Sequence, residues 1–331
     1  MRMMQPAVVI ASLSALAAGP AAAGPYTALY VFGDSLSDGG NAYLGKGGTE
    51  PVSPPYAGVF SNGPVWAQDL SQKLGLGTLK PSLAGGTDFA VGGAQTGTTP
   101  LHTAALGDLP SQLTAYQAAV TAPQPHALYS VWIGANDLSA ILADPGLTQT
   151  QISADVAAAV NNVATFVKGL AADGAKNLLL MTVPDLGVTP DVTKFGPAAE
   201  AAASALSKAF DTALLGAVGT IAAADGIRLF TVDTYSLLDS VVAHPTAFGF
   251  SNATAPCWTG SYTSASSGTV CANPASYVFW DGEHPTAAAH AVVADAALAA
   301  VPEPASLGLF AIAAAALLPL RRRRTTPPRR G

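Results

Sequence analysis

Four short apolar runs stand out along the 331-residue chain: Ala28 to Phe32, Leu128 to Ile133, Leu178 to Val183 and Ile227 to Val232. None alternates strictly between apolar and polar, which is the pattern of strands covered on both faces. Helical periodicity lies between and after them. In Ile152 to Ala172 the apolar positions Ile152, Val156, Val160, Val163 and Val167 recur at close to 3.6 residues, and Ala198 to Ala224 and Thr286 to Ala300 read as further helices. Strands alternating with helices predict a parallel sheet between helical layers, joined by right-handed crossovers. No Ser/Gly linker or repeat divides the chain. In such a sheet, functional groups gather at the carboxyl ends of the strands. Polar turn residues follow three of the runs: Gly33-Asp34-Ser35, Gly134-Ala135-Asn136-Asp137 and Pro184-Asp185-Leu186-Gly187.

Composition narrows the class. Half of the residues are hydrophobic and only 11% are charged, which excludes a disordered chain and leaves no basic face for nucleic acid. The formal net charge of −6 averages unlike pieces: seven of the 15 basic residues are Arg2, Arg321 to Arg324, Arg329 and Arg330. Residues 1–23 combine Arg2, the apolar stretch Ala7 to Ala18 and the small residues Ala21-Ala22-Ala23. They read as a secretory signal peptide, the alternative being a buried first helix. At the other end, Ala305 to Leu320 is an uncharged run followed by arginines, slightly short of the roughly 20 residues a spanning helix needs. Pro302-Glu303-Pro304, the apolar run and the Arg cluster together resemble the PEP-CTERM sorting signal of Gram-negative bacteria. That resemblance implies transient anchoring in the inner membrane, cleavage by an exosortase and release to the cell surface or medium; a permanent anchor is the alternative. The expected organisation is therefore 1–23 signal peptide, 24–301 main globular domain and 302–331 sorting signal. Removing residues 1–23 and 305–331 leaves 8 basic against 21 acidic residues, a formal −13. The two cysteines, Cys257 and Cys271, are expected to pair in an oxidising compartment.

Acyl transfer needs a hydroxyl beside a base, a group that orients the base, and donors facing the developing oxyanion. Ser35 ends the first run in a Gly-permitted turn, with its backbone N–H free to face an oxyanion. Asp281 and His284, three apart, can lean toward one point, with Asp281 fixing the imidazole tautomer. Gly40 to Lys46 opens like a phosphate-binding loop, but Gly47 stands where Ser or Thr should hold magnesium. His102, His126, His244 and His290 show no metal-ligand spacing, Asp34 suits local turn bonding, and Asp137 suits bracing of the Asn136 loop. No metal and no cofactor is expected.

These residues fall into blocks. Gly33-Asp34-Ser35-Leu36-Ser37-Asp38, Phe89-Ala90-Val91-Gly92-Gly93-Ala94, Gly134-Ala135-Asn136-Asp137 and Asp281-Gly282-Glu283-His284-Pro285 stand in the order of the GDSL-type esterases and lipases of the SGNH hydrolase superfamily, which the chain resembles over almost its whole length between the two ends. The resemblance implies a three-layer α/β/α sandwich with a five-stranded parallel sheet of the flavodoxin-like kind. It implies Ser35 as nucleophile, His284 as base, Asp281 as its orienting acid, and an oxyanion hole made of the Ser35 N–H, the Gly93 N–H and the Asn136 amide. Asp88 departs from the pattern, which often has Asn there. The expected activity is hydrolysis of a small ester or lipid through an acyl-enzyme. The alternatives are an acyltransferase or polysaccharide deacetylase with the same triad, or a non-catalytic matrix-binding protein. Expected partners are signal peptidase and exosortase during export, with exopolysaccharide a candidate; nucleic acid is not one.

Overall fold

The computed structural model describes residues 26–301. The segments read as signal peptide and sorting signal lie outside the described residues. Each apolar run contributes a strand: β1 (Leu29–Gly33), β2 (Leu128–Trp132), β3 (Asn177–Met181) and β4 (Arg228–Val232). They pair in parallel in that order, with Gly33 beside Trp132 and Met181 beside Val232. The first three are buried throughout, as their continuous apolar sequence requires. The edge strand β4 leaves Arg228 and Thr231 exposed.

The fifth place in the sheet belongs to residues 87–91, beside β1. They form no continuous strand, yet they bond to β1 in parallel. Val31 N–H donates to the Thr87 carbonyl at 3.1 Å, Phe89 N–H to Val31 at 2.7 Å and Val91 N–H to Gly33 at 3.1 Å. Regular geometry fails there because the Asp88 side chain turns back onto backbone, accepting the N–H groups of Gly39 (2.7 Å) and Ala90 (3.0 Å). Counted in chain order, the five segments run 2-1-3-4-5, the flavodoxin-like order, whose switch point lies between β1 and β2.

The helices are α1 (Asn41–Gly45), α2 (Trp66–Lys73), α3 (Leu109–Ala119), α4 (Ala135–Ala143), α5 (Gln149–Ala172), α6 (Pro190–Thr193), α7 (Pro197–Asp225), α8 (Thr234–Ala243) and α9 (Ala287–Ala300). Two short strands, β5 (Asn252–Pro256) and β6 (Tyr277–Phe279), pair separately. Successive strand residues face opposite layers. Tyr30, Phe32, Tyr129, Val131, Leu178 and Leu180 join one core with α3, α5 and α7, whereas Leu29, Val31, Leu128, Leu179 and Met181 join another with α2 and α9. Each fully buried side chain of this size stabilises the fold by about 1.5–3 kcal/mol. A third, smaller core lies beyond β4, where Val241 of α8, Phe250, Val278, Phe279 and Ala289 of α9 meet. Cys257 and Cys271 are joined by a disulfide, packed beside Tyr56, Trp258 and Trp280. Among the described residues no helix is long and apolar enough to cross a membrane.

Candidate active site

The carboxyl end of β1 is shaped by Gly33. Its φ is +155°, and a Cβ there would run into the Trp132 carbonyl of β2, so only glycine fits. Gln112 of α3 brackets it, accepting the Gly33 N–H at 2.9 Å and donating to the Gly33 carbonyl at 2.7 Å. Asp34 closes the following turn. Its Oδ1 accepts the Leu36 N–H at 3.0 Å, and its carbonyl accepts the Ser37 and Asp38 N–H groups at 3.0 Å each. Its other oxygen is buried without a partner, and burial pushes the carboxyl up to about 7. Ser35 stands in this turn, its N–H without a partner among the described residues and its Oγ 2.8 Å from His284 Nε2.

His284 comes from a second turn, between β6 and α9. Asp281 Oδ1 accepts the N–H groups of Glu283 (3.0 Å) and His284 (2.8 Å), an Asx-type turn. The same turn folds His284 Nδ1 back to 2.8 Å from Asp281 Oδ2. Tyr56 donates its hydroxyl to that oxygen at 2.7 Å, and the Phe60 ring lies 5.2 Å from the imidazole. Burial disfavours the Asp281 charge, but the positive charge on His284 and the hydrogen bonds from His284, Tyr56 and Glu283 outweigh it, holding the carboxyl down at about 2. Burial likewise pulls His284 down. The adjacent Asp281 charge and hydrogen bond outweigh that, so the imidazole stands above its ordinary value.

Two further donors line the same cleft as the serine. Asn136, in the first turn of α4, donates one amide hydrogen to the Ala94 carbonyl at 2.9 Å and keeps the other free. Gly93 (φ +79°) faces open space, its N–H without a partner among the described residues. Its loop is held from the serine side, because Asp38 Oδ2 accepts the Gly92 N–H at 2.8 Å. Asp38 also accepts the N–H groups of Gly40, Asn41 and Ala42. Those amides, which a phosphate would need, are therefore already taken by a carboxylate. Asp137 accepts the Thr96 N–H and hydroxyl and so fastens α4 to the segment after Gly93; burial pushes its carboxyl up to about 6. Asp88, where the family pattern often has Asn, sits buried beside Asp38. Burial and the Asp38 charge raise its carboxyl well above the usual range.

The structure thus brings Ser35, Asp281, His284, Gly93 and Asn136 to one place. Sequence reasoning missed Tyr56, Gln112 and the bridging role of Asp38. Only Asp38 lay inside a recognisable block. His102 contacts Asp108 at 2.7 Å, His126 and His244 are exposed, and His290 is fully buried with neither ring nitrogen partnered. Among the described residues no group of His, Cys, Asp and Glu suits a metal ion.

Ser35 and Asn136 separate two spaces of different character. One is a narrow apolar cavity of about 80 Å³, walled by Leu237, Leu238, Val241, Phe250, Phe279 and Val292. The other is a polar cleft bounded by Lys46, Glu50, Gly93, Tyr262 and His284.

Polar turns and an apolar cavity meet at the carboxyl ends of the parallel strands, where folds of this kind bind ligands. The chain belongs to the GDSL-like Lipase/Acylhydrolase family, whose sequence model matches residues 29–297. It is 31% identical over 238 residues to the phosphatidylcholine-sterol acyltransferase of Aeromonas hydrophila, a match covering 72% of this chain and 67% of that one. It is 32% identical over 191 residues to lipase 1 of Photorhabdus luminescens, covering 57% and 26%. The chain thus spans two thirds of the first relative and about a quarter of the second. Among solved structures, an extracellular lipase from Streptomyces rimosus aligns at 17% identity with a TM-score of 0.44, over 83% of this chain and 100% of that chain.

Proposed function

We propose that the protein cleaves esters through an acyl-enzyme on Ser35. The observation that carries this reading is the run of contacts from Ser35 Oγ through the His284 ring to Asp281. With the ring proton on Nδ1, held by Asp281, Nε2 is free to take the serine proton as Oγ bonds to the carbonyl carbon. The resulting oxyanion is stabilised by the Ser35 and Gly93 N–H groups and the free Asn136 amide hydrogen. His284 then passes its proton to the leaving alcohol as the C–O bond breaks. Water, deprotonated by the same nitrogen, releases the acid. Acyl transfer to an alcohol in place of water is the second reading, favoured by the similarity to the Aeromonas hydrophila acyltransferase.

The two spaces beside Ser35 assign the halves of the substrate. The leaving oxygen must lie where His284 can protonate it, and His284 lines the polar cleft but not the apolar cavity. The acyl chain therefore occupies the cavity under α8 and α9. Each methylene buried there contributes about 0.8 kcal/mol, so kcat/KM on p-nitrophenyl esters should climb from acetate until the cavity is full. Val292→Trp, which fills the cavity from α9, should lower octanoate relative to acetate turnover by about tenfold or more. An unchanged chain-length profile in a folded variant would place the acyl chain elsewhere.

We infer that the protein is exported, with residues 1–23 removed by signal peptidase and the C-terminal segment by an exosortase near Pro302-Glu303-Pro304. The Pro-Glu-Pro, apolar and arginine sequence of residues 302–331 supports this. Intact-mass measurement on protein recovered from the producing cells tests it. A mature chain that keeps the arginine cluster sinks the sorting reading.

A further inference from the structure

Glu283 borders both spaces that meet the candidate nucleophile and a neighbouring groove that does not. It borders the apolar cavity at Ser35, the polar cleft at His284, and a third groove formed by Asp191, Lys194, Trp258 and Tyr262. Its backbone is pinned by the Asp281 turn at 3.0 Å, whereas its side chain is exposed. The lysines lining these clefts already have carboxylate partners. Lys46 Nζ lies 3.8 Å from Glu50, and Lys194 Nζ lies 2.8 Å from Asp191. Glu283 forms no ion pair among the described residues. The leaving-group side of the serine therefore carries one negative charge that no neighbouring cation offsets.

We propose that Glu283 determines the charge class of the alcohol half of the substrate, favouring esters of cationic alcohols and opposing esters of anionic ones. This rests on the reading of Ser35 and His284 as nucleophile and base, which puts the leaving oxygen in the polar cleft that Glu283 borders. A carboxylate next in sequence to the base acts on the alcohol at short range. Of the other carboxylates at these clefts, Glu50 and Asp191 are paired with lysines and Asp281 with His284. Solvent around the exposed carboxylate limits the discrimination to about five- to tenfold.

The test is the ratio of kcat/KM for choline butyrate to that for its uncharged isostere, 3,3-dimethylbutyl butyrate. Shape and acyl chain are matched, so the ratio reads charge alone. The wild type should favour the choline ester by about five- to tenfold, and less at high salt. Glu283→Gln should bring the ratio near one, and Glu283→Lys should invert it. Asp225→Asn removes the same charge from the end of α7, beside the amino ends of the strands, and should keep the wild-type ratio. A wild-type ratio near one, or a ratio that Glu283→Gln leaves unchanged, overturns the proposal. If Ser35 reacts with a fluorophosphonate and both esters turn over equally, this inference alone fails. If Ser35 is not labelled and neither ester turns over, the hydrolase reading fails and takes this inference with it.

Discussion

Ser35→Ala should lower kcat on p-nitrophenyl esters by about ten-thousandfold or more and abolish fluorophosphonate labelling. Nucleophile and base act as a unit, so losing either removes almost all of the covalent route. The donors that remain act only on charge, and without an attacking oxygen no charge develops on the carbonyl. Asn136→Ala, which removes one donor and keeps the nucleophile, should cost only about 100- to 1000-fold. The gap between the two variants separates bond formation from charge stabilisation. Among the described residues the one side-chain bond of Ser35 is the one to His284, so its alanine variant should unfold at nearly the wild-type temperature. Wild-type turnover in that variant would put the chemistry on another residue.

Asp281→Asn should cost about ten-thousandfold in kcat, nearly as much as losing the serine, though it exchanges only an oxygen for an NH₂. Every bond the carboxylate accepts bears on the base: from Tyr56, from the backbone of Glu283 and His284, and from His284 Nδ1. An amide nitrogen turned toward Nδ1 would favour the tautomer that carries its proton on Nε2, which cannot accept from Ser35. The pH profile carries a second signature. Only neutral His284 can act as base, and Asp281 raises its pKa. In the wild type, kcat/KM should therefore rise with pH through an inflection on the alkaline side of histidine's ordinary 6.5. Without the carboxylate, burial is left as the larger influence, and burial lowers the value. The residual activity of Asp281→Asn should inflect at lower pH than the wild type. An unmoved inflection would show that another group controls the base.

Much of this site could be read from sequence because it sits where strands stop. The apolar runs ending at Phe32 and Ile133 placed Ser35 and Asn136 to within a residue or two, since continuous burial leaves a strong local signal. Residues 87–91 gave no such signal. Their sheet bonding is set by β1 while Asp88 bends the backbone, and neither influence has a period. Of the helices flanking the sheet, α5, α7 and α9 coincide with the stretches read from sequence periodicity, whereas α3 was not legible. The α3 sequence LPSQLTAYQAA shows little apolar periodicity, yet it supplies the Gln112 that holds Gly33. Tyr56 lies 225 residues from Asp281 in a proline-rich loop, and only the folded chain shows that its hydroxyl ends on that carboxylate. The two-sided character of the site was invisible for the same reason. The cavity walls come from α8, β6 and α9, and the cleft walls from loops around Lys46, Gly93 and Tyr262. Their apposition is a property of packing, whereas the residues next to the serine are a property of sequence.

The contact between Ser35 and His284 joins positions 249 residues apart. Order of synthesis then becomes part of the chemistry. The ribosome releases the serine with the first strand and the imidazole only after the fourth strand and α8 have followed. Until the turn before α9 emerges and docks, the serine is an ordinary alcohol. On the reading of Ser35 and His284 as nucleophile and base, a chain interrupted anywhere in that interval should be inert toward esters however much of its sheet has formed. On that reading activity reports completion, because only the whole domain, assembled end to end, brings the two side chains together.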